Sequence, residues 1–185
     1  MRDADGCVAV GGRGAASAGR TDEGDPRRAL PSPLDVGVVY DDPEWRFERS
    51  VERWEDVAVG VTVRFSKVVT DADVHGFGLV TGDTSRLHFD ETYAEGTRFG
   101  GRVVHGLLTA GVVSAALARL PGTAVYLSQT TEFLAPVRVD DELTGVCEVV
   151  EALGGDRYRL RTAVRTQRGE HVLRGEAVVL LDRPA

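Results

Sequence analysis

The chain has 185 residues, 42% hydrophobic and 28% charged, enough for one domain with a real core and an appendage beside it. Its 29 acidic against 22 basic side chains leave a formal charge of −7, which excludes the sequence-independent grip on nucleic acid that a basic surface provides. No apolar run approaches a membrane span, the patch Cys7-Val8-Ala9-Val10 is too short for a signal peptide, and Cys7 and Cys147 form neither a metal spacing nor a disulfide framework, so no membrane association and a reducing, cytoplasmic location are expected.

Residues 1–33 are rich in Gly, Ala, Arg and Asp, close on Pro26, Pro31 and Pro33, and show no period; they read as a disordered extension. Residues 34–53 form a lead-in without assigned structure, although Phe47, Val51 and Trp54 fall at helical spacing. The domain proper reads from 54 to 185. Val61, Val63 and Phe65 alternate with Thr62, Arg64 and Ser66, the pattern of a half-buried strand. Thr70 and Asp73 form a capping-box start, and the helix they open stops at Gly82, which suits a left-handed turn. Asp90 caps a short helix over Glu91–Glu95, ended by Gly96.

From His105 to Leu120 the chain reads HGLLTAGVVSAALARL, small or apolar on every side up to Arg119, so a buried helix of about 24 Å is expected. Four strands follow, over 125–135, 143–152, 158–164 and 171–181, with short turns that predict an antiparallel meander. Arg157, Arg159 and Arg161 alternate with apolar residues. They read as a solvated sheet face balanced by nearby acids, in preference to a phosphate-binding one. A curled antiparallel sheet around one long helix makes this an α+β domain.

The chemistry concentrates between Asp83 and Gly106. An acid five residues before an imidazole, on a loop set off by Gly82, is a pairing suited to proton transfer near neutral pH; a turn-capping Asp and a half-buried His would carry the same spacing. Gly106 opens the long helix, whose first N–H groups lack intrahelical partners and attract developing negative charge. His105 is expected to position that helix start.

The stretch FGLVTGDTSRLHFDETYAEGTRFGGRVVHGLL resembles the hydratase motif of the MaoC-like dehydratases, the family of the (R)-specific enoyl-CoA hydratases. Phe77, Thr81, Gly82, Asp83, Leu87 and His88 carry the match, Val103 to Gly106 follow at the family's distance, and the similarity runs from about Trp54 to the C-terminus. Ser85 and Arg86 depart from it, standing where the family has Asn and Pro. The resemblance implies a hot-dog fold and hydration of a trans-2-enoyl thioester, or the reverse dehydration of an (R)-3-hydroxyacyl thioester. Asp83 and His88 would act as the catalytic pair and the Gly106 N–H as oxyanion donor, with Ser114 near the site and Phe99 beside the substrate tunnel. It also implies no metal and no organic cofactor, a coenzyme A or acyl-carrier-protein thioester as substrate, and a homodimer or a multiple of one. An acyl-CoA thioesterase on the same fold and a non-catalytic acyl-thioester-binding subunit are the alternatives.

Overall fold

The computed structural model describes residues 44–183; the expected extension over 1–33 and the lead-in up to residue 43 lie outside the described residues. Six strands, β1 (Arg46–Arg49), β2 (Thr62–Val68), β3 (Thr123–Phe133), β4 (Glu142–Gly154), β5 (Arg157–Thr166) and β6 (His171–Asp182), pair antiparallel in the order β1-β2-β4-β5-β6-β3. Between β2 and β3 run four helices, α1 (Asp71–Thr81), α2 (Arg86–Phe89), α3 (Glu91–Glu95) and α4 (Gly106–Leu117).

The α+β class and the sheet curled around one helix stand as the sequence predicts. The alternating positions supply the core: Val63 and Phe65 of β2, Leu143, Cys147 and Val149 of β4, Leu160 and Val164 of β5, and Leu173, Ala177 and Val179 of β6 bury against Val112, Val113, Ala116 and Leu117 of α4. Burial pushes the Cys147 thiol up to about 12, so it packs and does not react. Helix and sheet meet most tightly at Gly145, where a β-carbon would stand 2.7 Å from the Val112 carbonyl oxygen. Register shifts between Tyr126 and Ser128 in β3, and at two places in β4, add the local twist that lets the sheet curl.

Four expectations need correction. The last four strands are not a simple meander: β4, β5 and β6 are, but β3 lies beyond β6 at the far edge. The connection after β3 crosses back under the helices, with Val137 O accepting from Val104 N and Asp140 N donating to Val69 O. The central helix is shorter than drawn. It ends at Leu117, after 12 residues or about 18 Å, and tight turns carry Ala118 to Leu120. It is also not buried all round, for Leu107, Gly111, Ser114 and Ala118 form one exposed stripe. In the lead-in, Phe47 belongs to a strand. β1 pairs with β2, Trp45 meets Phe65 edge-on at 5.6 Å, and the Arg119 guanidinium lies over the rings of Trp45, Phe47 and Phe65.

The arginine face is internally paired: Arg159 with Glu151 and Glu176, Arg161 with Glu148, Arg174 with Glu132. These are cross-strand ion pairs on an exposed face, each of modest worth. Gly145→Ala should destabilise the fold by about 1–3 kcal/mol, because the α4 backbone at Val112 must move to admit a methyl; urea unfolding at unchanged m-value measures it.

Candidate active site

Local sequence rules place the acid. Thr70 caps α1 by accepting from Asp73 N, and the Asp73 carboxylate accepts from Thr70 N, so the predicted capping box is present. At the other end Gly82 takes a left-handed φ of 77° and turns the chain out of the helix. Asp83 follows on an exposed loop, with its N–H donating to Thr81 Oγ1 and its carboxylate accepting from Ser85 N at 3.3 Å. Arg86 then occupies the first position of α2, where a proline would fit because that N–H has no helical partner. Its guanidinium donates to Asp90 Oδ2 and lies 4.4 Å from the Tyr93 ring centre, so a side-chain clip stands in for ring rigidity.

Asp90 caps α3 by accepting from Tyr93 N; that bond and Arg86 hold its carboxyl below the usual range.

The imidazoles are fixed by the segment leading into α4. His88 Nδ1 lies 2.8 Å from Val103 O. A carbonyl only accepts, so Nδ1 carries the proton and Nε2 is left as a base. Arg102 donates to His88 O at 2.7 Å and also pairs with Asp71, whose carboxyl it holds below the usual range. His105 Nε2 lies 3.0 Å from Asp83 O, and its ring stacks on His88 with centroids 3.8 Å apart.

The Asp83 carboxylate and ring nitrogens of His88 and His105 all lie within 4.8 Å of one another. Such a trio resembles a metal set, but stacked rings send their in-plane lone pairs side by side instead of toward one point. Its geometry suits acid–base chemistry better.

His88 and Gly106 line one cleft of about 350 Å³, walled by Leu87, Phe99, Val103, Thr109, Phe133 and Val137. His88 and the N-terminus of α4 thus share a cleft whose wall is otherwise largely apolar. A larger groove of about 700 Å³ lies on the outer sheet face, among the paired charges of Arg161, Arg174 and Glu132. His171 lines it together with Glu132 and Glu176, but both acids are ion-paired, to Arg174 and Arg159.

Of the residues singled out in the sequence, His88, Gly106 and Phe99 line this cleft, with the Asp83 carboxylate within 4.8 Å of a His88 ring nitrogen. Ser114 does not. It lies eight residues beyond Gly106, about 12 Å along the helix, and is exposed on the open stripe of α4. Thr109, one turn from Gly106, takes the place in the cleft that Ser114 was expected to hold, and i,i+3 spacing could have found it. Phe133 and Arg138 had no local signal. Phe133 arrives from the far sheet edge and lies against Gly106, where a β-carbon would stand 3.0 Å from its ring. Arg138 donates to the carbonyls of Phe99, Gly101 and Arg102 and so fixes the loop that carries Phe99 over the cleft.

Comparison with known proteins gives these features a context. Residues 55–170 match the family model described as MaoC like domain. The chain is 45% identical over 135 residues to 3-hydroxybutyryl-CoA dehydratase of Methylorubrum extorquens, covering 71% of this chain and 85% of that protein. It is 35% identical over 130 residues to the (R)-specific enoyl-CoA hydratase of Rhodospirillum rubrum, covering 69% and 90%. Among solved structures, the R-hydratase PhaJ1 from Pseudomonas aeruginosa aligns with a TM-score of 0.67 at 31% identity, over 75% of this chain and 90% of that one.

Burial, opposed in part by the Asp83 carbonyl, lowers the pKa of His105 below the ordinary histidine value. A histidine kept neutral in the fold takes up fewer protons than in the unfolded chain, so stability falls as pH falls below about 6.5. Thermal unfolding against pH should show that slope, and His105→Gln should remove it above pH 5. The later acid loss, below about pH 4, where Asp71, Asp73, Asp90 and Asp141 gain protons, should remain in the variant.

Proposed function

This chain belongs to the MaoC-like domain family, and on that premise we propose that it hydrates trans-2-enoyl thioesters, and dehydrates (R)-3-hydroxyacyl thioesters, with Asp83 and His88 as the catalytic pair. The observation that carries this reading is one of geometry. A carboxylate and a fixed imidazole lie within 4.8 Å of each other, and that imidazole lines the same cleft as the start of α4.

The acyl chain lies along the apolar wall, and the thioester carbonyl accepts from Gly106 N–H. A water sits between the Asp83 carboxylate and His88 Nε2. One of the pair takes a proton from the water as its oxygen bonds to the β-carbon. The π electrons move through the α-carbon onto the thioester oxygen, forming an enolate held at the helix N-terminus. The pair then returns a proton to the α-carbon, and the carbonyl reforms. No step calls for a metal or an organic cofactor, since the thioester itself acidifies the α-carbon. The substrate is a coenzyme A or acyl-carrier-protein thioester, the two classes that the relatives' names mention.

The reading also includes a homodimer. β3 is an unpaired edge with Val125, Tyr126, Leu127 and Phe133 exposed, and the open stripe of α4 adds Leu107 and Gly111. An edge so apolar is a ready surface for a second copy, and Phe133 and Leu107 put it beside the cleft.

Loss of the conjugated enoyl absorbance of crotonyl-CoA measures the reaction. Asp83→Asn and His88→Gln should each lower kcat by about 10²- to 10⁴-fold with folding retained. Thiol release with the enoyl chromophore intact would replace this reading with a thioesterase, and tight binding without turnover would replace it with a binding subunit. In sedimentation velocity the chain should run as a dimer. Gly111→Arg, at a position where a β-carbon meets nothing within 4 Å in the single chain, should yield folded monomer of reduced activity; a dimer that persists would move the interface elsewhere.

A further inference from the structure

Resting on the reading of Asp83 and His88 as the proton-transfer pair, we propose that His105 is a positioning residue of the same reaction. Its neutral imidazole donates from Nε2 to the Asp83 carbonyl and stacks on His88, which fixes both groups relative to the start of α4.

His105 is 1% exposed, and its ring is packed among Phe77, His88 and Phe89 at centroid distances of 4.8, 3.8 and 5.6 Å. The Asp83 carbonyl can only accept, so Nε2 carries the proton. Nδ1 is buried and has no partner among the described residues. An orphaned buried polar atom is destabilising. A phenyl ring would fill the same space without that penalty, so packing alone does not account for an imidazole here. What the imidazole adds is the single bond to Asp83 O.

That bond acts on a loop otherwise exposed. Asp83 to Arg86 are all solvent-exposed, and the carboxylate is oriented only by the Ser85 N–H. The His105 bond ties the backbone of this loop directly to the residue before Gly106. One ring therefore registers the acid, the imidazole and the oxyanion donor against each other. The titratable groups that face His105 are the Asp83 carboxylate, within 4.8 Å of the imidazoles, and His88. A neutral ring lets His88 gain and lose a proton during turnover without a second cation 3.8 Å away.

The test uses the full chain and three variants. In ¹⁵N-histidine NMR of the wild type at about pH 8, His105 should appear as the neutral Nε2–H tautomer. His105→Phe keeps the ring and loses the donor: kcat for crotonyl-CoA should fall roughly 10- to 100-fold with KM little changed, and the ring ¹⁵N shifts of His88 should move. His105→Gln, which restores an amide N–H, should recover part of kcat. Asp83→Asn should leave the His105 tautomer unchanged, since the bond goes to the carbonyl.

A wild-type kcat in His105→Phe, together with unmoved His88 ring ¹⁵N shifts, would overturn the proposal, and so would an Nδ1–H tautomer of His105 in the wild type at about pH 8. If His105→Phe does not fold, the wild-type tautomer and the Gln variant decide. If the wild type hydrates no enoyl thioester, the reading of the site fails. The NMR tautomer and the His88 shift in the variants still judge the His105 contact by itself.

Discussion

Arg102, Val103 and His105 are each bonded to the segment from Asp83 to His88, and this zipper is the constraint on which the site depends. Arg102 donates to His88 O, Val103 N reaches Leu87 O, Val103 O accepts from His88 Nδ1, and His105 Nε2 donates to Asp83 O. The next residue opens α4. A loop with an exposed carboxylate is thereby held against a helix N-terminus by short backbone contacts, and neither end can shift without breaking several of them. Such bonds fix the His88 tautomer by the same stroke, since an imidazole pinned at Nδ1 presents Nε2 to the cleft.

The sheet order gives this zipper its wall. Because the helical stretch carries the chain from β2 to the far edge, β3 and its return segment come back under the site. Phe133 then lies against Gly106, and Val137 bonds Val104. Arg138, three carbonyls in its grip, roofs the cleft with the Phe99 loop. The departures at Ser85 and Arg86 are absorbed locally. Ser85 supplies the backbone N–H that orients Asp83, and Arg86 uses Asp90 and Tyr93 to hold the start of α2.

What was legible in the sequence is what depends on neighbours along the chain. The Thr70–Asp73 box, the left-handed Gly82, the Asp90 cap and the burial of Val63 and Phe65 follow from spacing and φ preference, and the structure has each of them. Asp83, His88 and Gly106 were visible because the motif is short and its chemistry local. The position of β3 was not, since short turns imply hairpins and only long-range pairing sends a strand to the opposite edge. The open stripe of α4 was hidden for a related reason. Apolarity on every side predicts a covered helix, but it does not say that the rest of this single chain supplies the whole cover. Ser114 was placed near the site by the resemblance alone; in this chain it lies on the exposed stripe of α4, and Thr109 lines the cleft. Arg138 is a surface-like arginine until the loop it caps is known.

Since the Asp83 carboxylate and the His88 imidazole lie within 4.8 Å of each other and share one water in the proposed mechanism, both halves of water must reach the same face of the double bond. Hydration of crotonyl-CoA in D₂O, with the product's configuration read by NMR, measures this directly. The account predicts deuterium at the α-carbon and hydroxyl at the β-carbon added syn, with the (R) configuration at the β-carbon. Anti addition, or deuterium scrambled over both faces, would mean that the proton comes from a group other than this pair and would contradict it.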